Sequence, residues 1–436
     1  MKIPPRDLFL LTLSGLYFFV FGNWILSLTS PDEGRNAYAA LHMLETGNFL
    51  VPYYNCEYRF AKPPLLYWLT ALSFSLFGVN EFAARLVSGL AALGTALLVY
   101  LLVRDFVSRE RALTGALVFT LLVHTWFEAR ALVPEMLLVF FSTLGVYLFL
   151  KGRKVWGWAA LGLAFLTKGP VGVGLPLLVL FFWKLAQLRR PKETLLWTLR
   201  LLDPKGILVF LLVGFWWYAA MLHHFGWEYF YRFFVWENLG RLTGKLSEHN
   251  YPLWYYLPFL LLSTVLFWPV LYGAVRKVKE NLPPFAWFTA VFAFYTLARS
   301  KLHHYLLFSY PGLAAFLAPF VGRGYLRAAA LSGVLLLALL LLGAKAYEEQ
   351  RFTPKAVSVL KEEKPERLYF YRVENSALVF YLYRCIPFLE RPSEAEPGSW
   401  IVTDEKGLRA FKNYEVVVKG REFEGEQFLI VLRGDD

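Results

Sequence analysis

Long stretches of this chain carry no charge at all. Apolar runs of up to 23 residues recur at 8–29, 82–103, 112–127, 132–150, 155–167, 170–188, 206–224, 253–275, 283–298, 304–320 and 325–344. In lipid every backbone N–H and C=O must be paired within the segment, so runs of this kind are expected as membrane-crossing helices. Only 18% of the 436 residues are charged and 57% are hydrophobic, which sets aside an ordinary soluble domain. The run 8–29 has no small-residue cleavage site before Ser30, so it reads as a retained span and not a leader.

The net charge of +12 does not point to nucleic acid. Its basic residues fall in short connections such as RDFVSRER (104–111), KGRK (151–154), KLAQLRRPK (184–192), RKVK (276–279) and GRGYLR (322–327), where they set topology. These alternate correctly if about 11 spans cross and the run 63–78, PPLLYWLTALSFSLFG, is re-entrant or interfacial. An odd count places the N-terminus inside and the C-terminus outside. The outer face then collects 30–81, the corners at 128–131 and 168–169, the loop 225–252, ARSKLHH (298–304) and everything after 344. Two cysteines, Cys56 and Cys385, are too few for a disulfide framework, and their pairing stays open.

From Lys345 charges become frequent and apolar runs shrink to strand length: RLYFYR, SWIVTD, YEVVVKG and QFLIVLRG, with the helix-like NSALVFYLYR between them. The expected organisation is a transmembrane module over 1–344 and a small α/β domain over 345–436 on the outer side.

The polar residues of the outer face carry the chemistry. In SPDEGRNAYAALHMLETGNF (30–49), Asp32 and Glu33 open a helix that Gly47 ends. They are either a cap on a positive helix end or carboxylates held at the water–lipid boundary as a base or acceptor-orienting group. Arg35 stands beside them. In YRFAKPPLLYWL (58–69), Arg59 and Lys62 offer charge where a phosphate leaving group becomes anionic; simple snorkelling of Lys62 is the plainer alternative. In EARALVPEMLL (128–138), Glu135 sits just inside a span, where an unpaired carboxylate is expensive, and a structural pair with Arg130 is the alternative to function. In LTKGPVGVGLP (166–176), Gly169 and Pro170 explain a turn but not Lys168, which suits phosphate contact. The loop 225–252 mixes aromatics with Arg232, Arg241, Lys245 and His249, as an interfacial segment or a lid hinged at Gly240 and Gly244. Arg299, Lys301, His303 and His304 complete the face; the adjacent histidines are expected to be solvated rather than metal-bound.

Taken in order, PDEGRNAYAALHMLETGNFLVP, KPPLLYWLTALSFSLFGVNEFAARL, FLTKGPVGVGLP and SKLHHYLLFSYPGLA resemble the bacterial aminoarabinose transferases of lipid A. More broadly they resemble the protein O-mannosyltransferase superfamily, over most of 8–320. The resemblance implies a polytopic α-helical membrane protein with the GT-C glycosyltransferase fold, whose co-substrate is a polyprenyl-phosphate sugar. Asp32 would be the key acid of the first loop with Glu33 and Arg35 close by, Lys62 would contact the donor phosphate, and Glu135 would take a second acidic position. Arg59, Lys168, Arg241 and Lys301 join the substrate-binding set. The family usually has Glu directly before Lys-Pro-Pro, where this chain has Ala61.

The expected reaction is attack of a lipid acceptor, lipid A or a related lipopolysaccharide group, on the anomeric carbon, with polyprenyl phosphate leaving. Asp32, Lys62, Glu135 and Lys168 are expected in one outward cavity. No resident cofactor is called for, and a divalent metal stays open. The donor sugar is aminoarabinose or a uronic acid such as galacturonic acid. The cationic rim of Arg35, Arg59, Lys62, Lys168, Arg232, Arg241, Lys245, Arg299 and Lys301 favours the carboxylate sugar, and so does the Ala61 departure. The expected setting is the bacterial inner membrane, as a monomer, with the site and the C-terminal domain in the periplasm. The alternatives are a protein O-mannosyltransferase-like enzyme, a lipid-linked sugar transporter or flippase, and a non-catalytic lipid sensor. Asp32→Asn separates catalysis from the last two.

Overall fold

The computed structural model describes residues 3–29, 31–240 and 251–433. Each apolar run is helical over most of its length. By length and composition four helices among the described residues are long and apolar enough to cross a membrane, namely Glu81–Phe106, Val171–Leu188, Pro204–Glu237 and Arg323–Glu348. Two bent pairs, Arg109–Thr120 with Val123–Ala129 (64°) and Leu253–Ser263 with Val265–Arg276 (65°), bring that to six when each is one span. The helix Arg323–Glu348 shows what solvent it meets: Leu331, Leu335, Leu339 and Leu342 face outward uncovered, tolerable only against lipid.

Two segments differ from expectation in detail. The run 8–29 is helical only from Pro5 to Val20. It stops because Arg130 donates to the carbonyls of Tyr17, Phe18 and Phe21, satisfying a helix end, and Gly22 then takes φ +87°. Arg130 is thus a cap for the first helix and not the partner of Glu135. The first part of 225–252 is also no loop: helix continues to Gly240, broken at Gly226 with φ 54° and ψ −133°. The doubtful run 63–78 forms the helix Leu65–Phe77.

Two compact units emerge, and they do not follow chain order. The first comprises Met1–Phe21, Phe60–Leu66 and Arg85–Leu337; the second comprises Gly22–Arg59, Tyr67–Ala84 and Ala338–Asp436. The sequence expectation of a single cut after residue 344 leaves 22–59 with the transmembrane module, whereas those residues pack with the C-terminal chain.

The first unit is a helical bundle whose close contacts are made by small residues. Gly145 meets Leu161, and Gly162 meets Gly214. The second unit has a two-stranded ribbon, β1 (Tyr53–Tyr54) with β2 (Glu57–Tyr58), and a four-stranded sheet. The sheet runs β3 (Leu368–Phe370), β4 (Trp400–Asp404), β6 (Gly425–Leu432), β5 (Tyr414–Glu422) in spatial order. The four apolar segments read from the sequence are its four strands. β3 and β4 are parallel, and the helix Ser376–Leu382 lies in the connection between them. Ile401, Phe428, Ile430 and Leu432 form its core with Phe411 and Leu389.

A buried ion network ties the second unit together. Arg351, wholly inaccessible, gives Nε and Nη2 to Glu422 at 3.1 and 2.8 Å and Nη1 to the Ser27 carbonyl at 2.7 Å. The other Glu422 oxygen accepts from the Thr353 backbone at 2.8 Å. Arg351 also reaches Glu348 at 3.2 Å. Losing Arg351 takes from the buried Glu422 its cation, which costs about 3–5 kcal/mol. Cys56 and Cys385 form a disulfide within this unit.

Candidate active site

The candidate residues divide between the units. Asp32, Glu33, Arg35 and Arg59 belong to the second, and Lys62, Glu135, Lys168 and Lys301 to the first. Arg241, with Lys245 and His249, lies outside the described residues.

In the second unit the helix Asp32–Thr46 ends at Gly47, φ 71°, as its sequence suggests. Glu33 is buried, and its Oε2 accepts from the Thr29 N–H and hydroxyl, both at 2.9 Å. These bonds tie Glu33 to the chain just before the helix, whereas Asp32 is partly exposed at the helix start. Arg35 is paired with Glu374, and the Tyr54 hydroxyl donates to the same carboxylate. Burial works against the Arg35 charge, but the Glu374 hydrogen bond and charge outweigh it and its pKa rises. Burial, reinforced by the Glu374 charge, pushes the Tyr54 hydroxyl up. Arg59 donates from Nε to the Tyr67 hydroxyl at 3.1 Å. Glu374 is not legible as a partner in the sequence: it lies 339 residues from Arg35, in a loop with no motif.

In the first unit, Glu135 begins the helix Glu135–Leu150 and is 3% exposed. Its Oε1 pairs with Lys168 Nζ and lies 3.1 Å from His304 Nε2. Its Oε2 is buried with no hydrogen-bond partner among the described residues. Lys168 is the last residue of the helix Lys154–Lys168, where the next residue, Gly169, takes φ 72° and turns the chain into the helix Val171–Leu188. Its ammonium also lies 4.7 Å from the centre of the Tyr305 ring. Lys62 is close enough for its charge to act on Glu135. Lys301 is buried, and its ammonium turns back to the Ala298 carbonyl and not outward.

The histidines correct the expectation of surface solvation. His304 goes to Glu135, and His303 to Glu128 at 2.9 Å. Glu128 also takes His124 at 3.3 Å. Two acid–base clusters therefore stand side by side, joined by adjacent rings whose centres are 5.2 Å apart. The sequence carries a signal for the second: His124 and Glu128 are four apart, on one helical face inside an apolar run.

Comparison with known proteins bears on this arrangement. The model of the dolichyl-phosphate-mannose-protein mannosyltransferase family matches residues 35–230. An uncharacterized protein of Aquifex aeolicus is 52% identical over 98% of this chain and 99% of its own length. The undecaprenyl phosphate-alpha-4-amino-4-deoxy-L-arabinose arabinosyl transferase of Shewanella sediminis is 31% identical over 70% of this chain. The chain spans 57% of that relative's length. The crystal structure of ArnT from Cupriavidus metallidurans bound to undecaprenyl phosphate superposes with a TM-score of 0.78 at 20% identity, covering 98% of this chain and 99% of that one.

The chain belongs to the ArnT-like family of glycosyltransferases. It has the GT-C fold with a small C-terminal α/β domain and is a multi-pass membrane protein. The same fold extends to the Archaeoglobus fulgidus oligosaccharyltransferase, at a TM-score of 0.57 and 12% identity over 92% of this chain. In this ArnT-like chain Lys62, of the Lys-Pro-Pro sequence, and Glu135 fall in one compact unit with Lys168.

Proposed function

We propose that this ArnT-like protein transfers a sugar from a polyprenyl-phosphate donor to a lipid acceptor at the periplasmic face of the inner membrane. The observation that carries the reading is the Glu135–Lys168–His304 cluster with Lys62 in electrostatic reach. Two lysines about one buried carboxylate leave positive charge for a phosphate, and the Glu135 Oε2 has no hydrogen-bond partner among the described residues. The relatives' donor, undecaprenyl phosphate-linked aminoarabinose, supports the class of donor.

In the reaction an acceptor oxygen forms a bond to the anomeric carbon as the bond from that carbon to the donor phosphate oxygen breaks, with inversion. Polyprenyl phosphate leaves with the electron pair, and Lys62 and Lys168 stabilise the charge that develops on it. A phosphate acceptor arrives already ionised, whereas a hydroxyl acceptor must give its proton to a carboxylate base, for which Asp32 is the candidate read from the sequence. The Cys56–Cys385 disulfide supports placing the second unit on the oxidising side of the membrane.

The finer proposal concerns the sugar. Ala61 removes a carboxylate beside Lys62, so a uronic acid donor such as galacturonic acid competes with aminoarabinose. The test is transfer by purified protein offered both polyprenyl-phosphate sugars, with the products weighed by mass spectrometry. Lys62→Ala is expected to lose more donor turnover than Lys62→Arg, and Asp32→Asn to stop transfer while still binding donor. Wild-type rates in Lys62→Ala would sink the phosphate role. A clear preference for the aminoarabinose donor would overturn the reading of Ala61 alone. Movement of intact donor across the bilayer without cleavage would favour a flippase.

A further inference from the structure

The second cluster, His124–Glu128–His303, has no part in the proposed transfer, and its geometry is that of a metal site. His124 Nε2 and Glu128 Oε1 are 3.3 Å apart, His303 Nδ1 and the same oxygen 2.9 Å, and the two ring nitrogens 3.3 Å. Three ligands at about 2.0–2.1 Å from a tetrahedral zinc ion lie roughly 3.3 Å from one another. The three side chains already enclose a point that satisfies this.

The surroundings orient the ligands as a metal requires. His124 Nδ1 is 2.9 Å from the Tyr310 hydroxyl. With the proton on Nδ1 and that hydroxyl accepting it, Nε2 turns its lone pair to the cluster, as an outer partner fixes the tautomer of a ligating histidine. His303 is held flat against Phe259, ring centres 5.6 Å apart at 27°. His124 is 8% exposed and Glu128 3%, so two ligands are dry. The His303 side chain is 47% exposed, which leaves one coordination position open to the outside. Two imidazoles, one carboxylate and an open position suit zinc better than magnesium or calcium, which take oxygen ligands.

We infer that His124, Glu128 and His303 bind a divalent transition-metal ion of the zinc class, with Tyr310 as positioning residue and one position left for water or substrate. The ion would clamp the helix Val123–Ala129 to the segment His303–Ser309. It would also put positive charge beside the Glu135–Lys168 cluster, whose His304 is the next residue along the chain from His303.

The test needs no sugar donor, so it stands or falls apart from the transferase reading. The full chain, purified in detergent without a histidine tag and stripped with chelator, is re-equilibrated with zinc and assayed by mass spectrometry for bound metal. Cobalt(II) is then substituted as a visible probe. The expected results are one zinc per chain and the intense d–d absorption of four-coordinate cobalt. Both should be lost in Glu128→Gln and in His303→Asn, whose half-exposed side chain makes it the milder substitution. Tyr310→Phe should weaken zinc binding by about 10- to 100-fold. Zinc content in wild type no higher than in His303→Asn, or the same cobalt spectrum in both, would overturn the inference and leave the cluster an ion-paired hydrogen-bond network.

Discussion

Glu135 is buried against Lys168, and these two residues come from the start and the end of different helices, 33 positions apart. A charge so enclosed tolerates the loss of its partner poorly, whereas an apolar pair of similar size is often accepted. Lys168→Met or Glu135→Gln alone is expected to lower stability by about 3–5 kcal/mol at the upper end and to abolish transfer. The double variant should recover much of the thermal stability in detergent but none of the turnover. Single variants with wild-type melting and wild-type transfer would show that the pair is idle.

Gly34 sits between the catalytic candidate Asp32 and Arg35, yet its own role is packing. A Cβ there would fall inside the backbone of Ser376 and Ala377, on the helix Ser376–Leu382. The Ser376 hydroxyl donates to the Pro31 carbonyl at 2.7 Å, so the two segments have little freedom to part. Gly34→Ala is expected to cost about 1–3 kcal/mol through overpacking. A melting temperature equal to that of wild type would refute the close approach.

The disulfide joins residues 329 apart. Cys56→Ser is expected to destabilise the second unit by about 2–5 kcal/mol, with the same loss on reduction of wild type. Non-reducing electrophoresis and protease susceptibility, with and without reductant, measure it. Identical digestion of oxidised and reduced protein would count against a structural role.

His42 gives the second unit a pH dependence. Its ring stacks on Tyr53, centres 4.6 Å apart, and burial lowers its pKa below the ordinary 6.5. The folded form therefore binds fewer protons than the unfolded form in that range. Stability is complete above pH 6.5 and falls as the pH drops below it, because the unfolded chain protonates first. His42→Phe keeps the stack and removes the charge. Its melting temperature should be flatter than wild type's through this range, and parallel curves would exclude His42 as the source.

The helices and the strands of the C-terminal sheet are legible in the residue pattern. A span announces itself by unbroken apolarity, and strands such as WIVTD at 400–404 by their length and β-branched content. Lys168 stands out because Gly169 and Pro170 account for the turn without it. What misleads is proximity in sequence. Arg130 is near Glu135 in the chain but caps the first helix, and the adjacent histidines that read as solvated turn to two different carboxylates. Neighbouring side chains on a helix point apart, so adjacency says little about partnership.

Residue type and periodicity are local properties, and they suffice for a polytopic helical membrane protein with candidate chemistry in Asp32–Arg35, Lys62, Glu135 and Lys168; the GT-C kind rests on the resemblance of its motifs to a known family. The pairings are not local. Arg35 meets Glu374, Cys56 meets Cys385, Glu135 meets His304, and His124 and Glu128 meet His303 only once the chain has packed. The same packing groups 22–59 and 67–84 with the chain from Ala338 onward, the helix Asp32–Thr46 lying against the helix Ser376–Leu382. Each of these contacts joins groups dozens to hundreds of residues apart. Which distant groups meet depends on how whole helices and sheets fit together, and no local pattern encodes that.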